Sequence, residues 1–409
     1  MTIILKVANF GKLRRKRDMQ HAHLHFGHRR MYHFPHAHEL LGAIARFIRK
    51  NVVLCVALTA ALLSMVAVPP DAEYLSYFDL KTLTCLFCVL AVVCALKNIN
   101  FFYILACEIV RRFNNLRAAV LALVYVTFIG SMFIANDMAL LTFLPLGFFV
   151  LSTTGNKRYM AFTFIMQNIA ANLGGMLTPF GNPQNLYLYT AFSIPTGEFM
   201  MIMLLPFALS VTLITVCCLV FIKKIPLSVG EGDRTLDKKK CIIYGILFAL
   251  AIAIVFRGIP YWIGLIIIPI VLIFMDRKAL AQVDYPLLLT FAAFFVFSGN
   301  VSRIEMVRNV FEALLSKSTL LFSTLSCQII SNVPSAILLS GFTDNYPQLL
   351  VGVNIGGTGT IIASLASLIT FKEYVKHDPH GVKSYMIKFS AFNFGFLAIL
   401  LTVMLFVMA

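Results

Sequence analysis

Four short polar stretches interrupt otherwise apolar runs of this chain. They are Ala135-Asn136-Asp137, Leu177-Thr178-Pro179-Phe180-Gly181-Asn182-Pro183-Gln184-Asn185, Ser331-Asn332-Val333-Pro334-Ser335 and Gly356-Gly357-Thr358-Gly359-Thr360. The second cannot be a continuous helix, because two prolines remove amide donors and Gly181 frees the backbone. An opened helix exposes carbonyl oxygens that coordinate cations. It also creates half-helix N-termini whose partial positive charge holds anions. The amides of Asn136, Asn182, Gln184, Asn185 and Asn332, and the hydroxyls of Thr178, Ser335, Thr358 and Thr360, supply contacts of both kinds. Pro179, Pro183, Pro334, Gly181, Gly356 and Gly357 open the backbone that carries them. Asp137 is the one carboxylate well inside its apolar stretch, and burial there costs roughly 3 kcal/mol on insertion scales. It is expected to coordinate a sodium ion or exchange a proton, the alternative being a cap on the half-helix that follows.

The elements that must position these residues follow from composition. Of 409 residues, 59% are hydrophobic and 13% charged, against roughly 25% charged in soluble proteins. A soluble domain of this size could not hide so much apolar surface. A soluble enzyme, a disordered chain and a secreted disulfide scaffold are excluded, and an all-α polytopic membrane protein is implied. Nine cysteines lie mostly within apolar runs, where they read as small core side chains.

A span needs roughly 20 apolar residues. Candidates are 51–68, 80–96, 159–190 (interrupted), 198–222, 241–256, 259–275, 285–299, 348–373 (interrupted) and 383–408. Two further stretches, 118–151 and 319–342, are split near their middles into halves that look too short to cross alone. Re-entrant helical hairpins fit them better, giving about nine full spans and two hairpins. Stretches 98–115 and 302–316 mix charged and apolar residues and are expected to lie along the interface.

The net charge of +16 is concentrated in a basic tail, residues 1–50. Before a first span, this predicts a cytoplasmic N-terminus rather than nucleic-acid binding. Lys97, Arg111, Arg112, Arg117, Lys157, Arg158, Lys223, Lys224, Lys238–Lys240, Arg277, Lys278, Lys372, Lys376 and Lys383 fall on that same side if each hairpin returns to the side it entered from. The first hairpin then dips in from the cytoplasm and the second from outside.

A weak repeat supports this arrangement. Asn172-Leu173-Gly174-Gly175-x-x-Thr178 matches Asn354-Ile355-Gly356-Gly357-x-x-Thr360, and Asn136 corresponds to Asn332. The halves are 51–222 (hairpin 118–151, broken helix 159–190) and 259–409 (hairpin 319–342, broken helix 348–373). The loop and connector span of 223–258 join them. An odd connector inverts the second copy, and inverted repeats with paired broken helices point to a secondary transporter.

At these residues the chain resembles the citrate-transporter-like part of the ion transporter superfamily. That group includes arsenite permeases, divalent anion:sodium symporters and some sodium/proton antiporters. The resemblance rests on Ala135-Asn136-Asp137-x-Ala139-Leu140-Leu141-Thr142, on the loop from Leu177 to Asn185, on Ser331-Asn332-Val333-Pro334 and on Ser364-Leu365-Ala366-Ser367. It implies a scaffold domain and a moving domain, commonly in a homodimer. By position, Asn136, Asp137 and 178–185 form one half-site, and Asn332, Ser335 and 356–360 the other. Ala-Asn-Asp and Ser-Asn-Val stand where divalent-anion symporters carry Ser-Asn-Thr, and the second Pro-x-Gly is absent.

The leading expectation is a secondary active transporter of a small anion or oxyanion, coupled to Na⁺ or H⁺, working by an elevator movement in the plasma (inner) membrane. It requires no cofactor beyond the coupling ion. A sodium/proton antiporter using Asp137 is the alternative. His21, His23, His25 and His28, part of a seven-histidine tract, could chelate a metal loosely. A membrane metalloenzyme would need histidines spread over several loops, which this chain lacks. No P-loop pattern is present, which argues against ATP-driven transport within this chain.

Overall fold

The structure is a computed structural model and describes residues 47–48, 51–226 and 236–408. The helices described below lie within the compact unit that begins at Val52. Among the described residues the regular elements are helical, apart from one isolated bridge between Asn115 and Pro226.

The first half runs α1 (Val52–Ala67), α2 (Leu80–Asn98), α3 (Phe101–Arg111), α4 (Leu116–Ile134), α5 (Asn136–Thr153), α6 (Met160–Gly174), α7 (Pro183–Ala191) and α8 (Thr196–Phe221). α9 (Lys238–Val255) follows. The second half runs α10 (Tyr261–Met275), α11 (Arg277–Ala281), α12 (Tyr285–Ser302), α13 (Glu305–Lys317), α14 (Thr319–Ile330), α15 (Asn332–Leu339), α16 (Tyr346–Ile355), α17 (Leu365–His377) and α18 (Val382–Val407). Short polar side chains set several starts by accepting orphan amides. Asp79 caps α2 through the Thr82 amide at 2.9 Å, and Asp284 caps α12 through the Leu287 amide at 3.0 Å.

Among the described residues, six helices (α2, α4, α5, α8, α12 and α18) are long and apolar enough to cross a membrane. The bent pair α13–α14, meeting at 120°, makes a seventh if counted as one span. α1 and α10 are apolar but shorter, at 16 and 15 residues. The stretch 118–151 departs from expectation: α4 and α5 have 19 and 18 residues, each sufficient to cross by length and composition. The polar tip residues Asn136 and Asp137 are themselves helical and lengthen α5. The second split stretch has shorter arms, 12 and 8 residues in α14 and α15.

Packing follows a repeated scheme. α4 packs on α5 and α6, as α14 packs on α15 and α16. α5 reaches across to α17, as α15 reaches to α7. α6 packs on α17, and α16 on α7. Exchanging the set α4–α7 with α14–α17 leaves these pairings unchanged. All fifteen residues of α6 are buried, so this helix, with its Asn and Gln side chains, is enclosed by protein on every face. Around this centre, α1 packs on α12, and α2 on α9 and α10.

Candidate functional site

Both split stretches turn on a non-glycine residue with positive φ. Ala135 has φ 59° and ψ 151°, and Ser331 has φ 76° and ψ 159°. The next residue in each case opens a helix and folds its amide oxygen back onto the backbone. Asn136 Oδ1 accepts from the Asp137 amide at 2.9 Å, and Asn332 Oδ1 accepts from the Val333 amide at 2.9 Å. Each asparagine thereby occupies one amide of the first turn of its own half-helix and keeps its Nδ2 free to point elsewhere.

The broken helices are opened where the prolines and glycines predict. α6 ends at Gly174, a short 3-10 turn covers Gly175–Leu177, and α7 starts at Pro183. Gly175 and Gly181 pack back to back. A methyl group on Gly181 would collide with the Gly175 carbonyl oxygen, and one on Gly175 with Asn182 Oδ1. In the second half α16 ends at Ile355 and α17 starts at Leu365, with Gly359 at φ +112° between them. Each loop is tied to its split stretch by a threonine. Thr178 Oγ1 donates to the Met132 carbonyl at 2.9 Å, and Thr360 Oγ1 donates to the Gln328 carbonyl at 3.0 Å.

Buried amides join the two halves. Asn136 Nδ2 donates to Asn172 Oδ1 at 3.1 Å. Asn182 Nδ2 donates to the Asn172 carbonyl and to Asn354 Oδ1, both at 3.4 Å. Asn354 Nδ2 donates to Asn185 Oδ1 at 2.6 Å. Asn185 Nδ2 pins the first loop through the carbonyls of Gly175, Met176 and Thr178 at 3.1, 3.3 and 3.3 Å. A side chain on Gly357 would place its first carbon 3.1 Å from Asn332 Nδ2 and 3.8 Å from Asn172 Oδ1. Asn136 and Asn332 therefore approach the same point from opposite halves, with Asn172 and Gly357 between them.

Four buried polar atoms in this region lack a partner: Asp137 Oδ1, Asn172 Nδ2, Asn182 Oδ1 and Gln184 Oε1. Unsatisfied buried groups are uncommon. Unpaired carboxylate and amide oxygens are the kind of group that holds a cation, and an unpaired amide NH2 the kind that holds a hydrogen-bonding solute. Four half-helix N-termini, at Asn136, Pro183, Asn332 and Leu365, add partial positive charge for an anion.

The model of the citrate transporter family matches residues 40–351. The chain belongs to that family. An uncharacterized transporter of Methanocaldococcus jannaschii is 32% identical over 302 residues, covering 73% of this chain and 82% of the relative. The inner membrane protein YbiR of Escherichia coli K12 is 30% identical over 284 residues, covering 67% of this chain and 74% of the relative. The protein is an integral membrane transporter and not an enzyme.

Within this transporter, Asn136, Thr178, Asn182, Gln184, Asn185 and Asn332 are buried. Asp137 is partly buried and sits beside Asn136. Pro179 and Gly181 lie in the buried turn, and Pro183 opens α7. Pro334 lies in the first turn of α15. The other residues of the second half are engaged locally. The Ser335 hydroxyl pairs with Ser326 at 2.8 Å, bridging α14 and α15. Thr358 Oγ1 bonds the Ile355 carbonyl at 2.6 Å, and Gly356 terminates α16. The His21, His23, His25 and His28 tract lies outside the described residues. Among the described residues no three His, Cys, Asp or Glu side chains are grouped to hold a metal.

Sequence reasoning missed three contributors. Asn172 and Asn354 are visible as repeat positions, yet nothing local marks them as the hub of the amide network. Gln328 has no signal at all, being one glutamine in an apolar arm. Its Nε2 donates to the carbonyls of Gly356 and Thr358 at 2.9 and 3.1 Å, and its Oε1 accepts from the Thr360 amide at 2.8 Å.

Proposed function

We propose that this transporter is a secondary active carrier of a small anion or oxyanion, coupled to Na⁺ or H⁺. The observation that carries this is the amide network joining both breaks, with unpaired polar atoms on its members Asn172 and Asn182. Non-helical backbone at membrane depth is tolerated inside protein or beside a watery cavity, and the first break here is enclosed while the second exposes Ile362. The anion is held by half-helix N-termini and amide N–H groups, and the coupling ion by Asp137 with the amide oxygens. The exchangeable packing of α4–α7 and α14–α17 supports an inverted repeat. In that arrangement the two split stretches are hairpins entering from opposite faces, and the body built from them moves across the membrane as an elevator against the outer helices. The family name points to citrate or a related carboxylate, and an arsenite-like oxyanion is the other candidate. Lys/Arg placement puts the N-terminus in the cytoplasm. The name of the E. coli relative favours the inner membrane, and the working unit is a homodimer.

Uptake into proteoliposomes tests this. Labelled citrate, other carboxylates and arsenite are offered with a Na⁺ gradient, a pH gradient or neither. Gradient-stimulated uptake of one of them, lost in Asp137→Asn, is expected. No flux across the panel would overturn the reading. The antiporter alternative is favoured by one observation, the unpartnered Asp137 Oδ1. It requires that a pH-sensitive dye report Na⁺-driven proton movement without any anion.

A further inference from the structure

A cavity of about 390 Å³ lies away from the polar centre. Its walls come from α2, α3, α4, α5 and α9 and include Leu105, Ile129, Phe133, Phe143, Gly245 and Phe248. The lining is apolar. Leu105, Ile129 and Phe133 are strongly exposed, so the cavity opens sideways onto the surface that an integral membrane protein turns to lipid. An apolar hollow of this kind does not hold water, and leaving it empty forfeits contacts on every wall.

Its rim is basic. Leu96 lines the cavity and is followed by Lys97. Ile109 lines it one turn before Arg112, which is exposed. Cys241 lines it immediately after Lys238–Lys240, which are exposed at the start of α9. Lys240 stands 3.9 Å from Asp237, whereas Lys238 and Lys239 make no ion pair among the described residues. Three helices that line the hollow therefore carry positive charge at an end, Lys97 on α2, Arg112 after α3 and Lys238–Lys240 on α9.

We propose that this cavity is a binding site for an acidic phospholipid, with an acyl chain in the hollow and the headgroup drawn to the basic residues beside it, Lys238–Lys239 above all. Basic clusters beside membrane helices attract anionic headgroups, at about 1 kcal/mol per Lys or Arg near the surface. The shape of the hollow adds the apolar half of the recognition, which a basic patch alone lacks. The site depends on membrane insertion and not on what the protein carries.

Native mass spectrometry of the purified protein in detergent tests this, with phosphatidylglycerol and phosphatidylcholine of identical chains. Retained phosphatidylglycerol at several-fold higher occupancy is expected. Gly245→Leu should abolish retention by filling the hollow. Nothing lies within 4 Å of a side chain started at Gly245, so the fold should tolerate it. Lys238→Ala with Lys239→Ala, on an exposed helix start, should lower phosphatidylglycerol occupancy several-fold and leave phosphatidylcholine unchanged. Equal retention of the two lipids by the unaltered protein, or unchanged retention in both variants, would overturn the proposal. Because the readout is bound lipid, these outcomes are independent of whether transport is found.

Discussion

Asn354 on α16 donates to Asn185 on α7 at 2.6 Å, a bond between residues 169 positions apart. Through it the second broken helix rests on the residue that pins the first. Asn354 Oδ1 also accepts from Asn182. Asn354→Leu would remove both contacts and leave Asn185 Oδ1 unpaired, at a cost of about 1–3 kcal/mol. The expected result is a lower melting temperature in detergent and loss of transport. Asn185→Leu added to Asn354→Leu should cost less than the sum of the two, because they share the bond. Strict additivity would show that the bond carries no coupling.

Gln328 fastens the second loop in a way that the first half does not copy. The equivalent residue by the repeat is Met132, which offers only its backbone carbonyl to Thr178. Gln328→Leu should therefore destabilise the protein by about 1–3 kcal/mol through unpaired loop groups. Met132→Leu should cost less than about 1.5 kcal/mol as a volume-conserving change. Melting curves of the two variants decide the contrast, and equal effects would remove the asymmetry.

Ala135 and Ser331 hold a backbone region that glycine favours, at a cost of about 1–3 kcal/mol each. Ala135→Gly relieves this while loosening the unfolded chain by less, about 0.4–1 kcal/mol. A modest rise in melting temperature is expected for Ala135→Gly, and a clear fall for Ala135→Val. The same pair of substitutions at Ser331 should behave alike. A fall for both glycine variants would mean that the two tips are not held as described.

Outside the membrane-spanning helices, Arg303 at the end of α12 bonds Asp71 at 2.7 Å and lies 3.5 Å from Glu73. The hydrogen bond from Arg303 holds the Asp71 carboxyl below its ordinary range. A depressed carboxyl contributes stability above its unfolded value and loses it as pH falls through the folded one. Acidification below the usual aspartate range should therefore weaken one of the ties between the turn at Ala72–Tyr77 and α12, the Asn300–Tyr74 bond remaining. The effect is small, because the pair is solvent-exposed. Arg303→Gln should flatten that acid-side dependence by slightly lowering stability at neutral pH while leaving stability at acid pH nearly unchanged. An identical acid-side profile in the variant would assign the dependence to other groups.

The breaks were legible in the sequence because they are chemically local. Pro179, Gly181 and Pro183 cannot continue a helix in any surroundings, and apolar run lengths located most helices to within a few residues. The lengths of the arms around Asn136 were underestimated because polar residues at a tip look like loop, yet Asn136 is the first residue of α5. Asn172 and Asn354 stood out as matched repeat positions, but their partners could not be read.

Composition, proline–glycine placement and polar residues within apolar runs by themselves determined that this chain crosses a membrane and where its helices open. Those properties depend on the transfer of apolar side chains from water and on backbone donors removed at single residues. The tertiary structure alone decided that Asn354 meets Asn185, that Gln328 serves the second loop, and that Asn136 and Asn332 share a centre. A side-chain amide takes whichever partner helix packing sets at hydrogen-bonding distance, and that register comes from surfaces far apart in the chain.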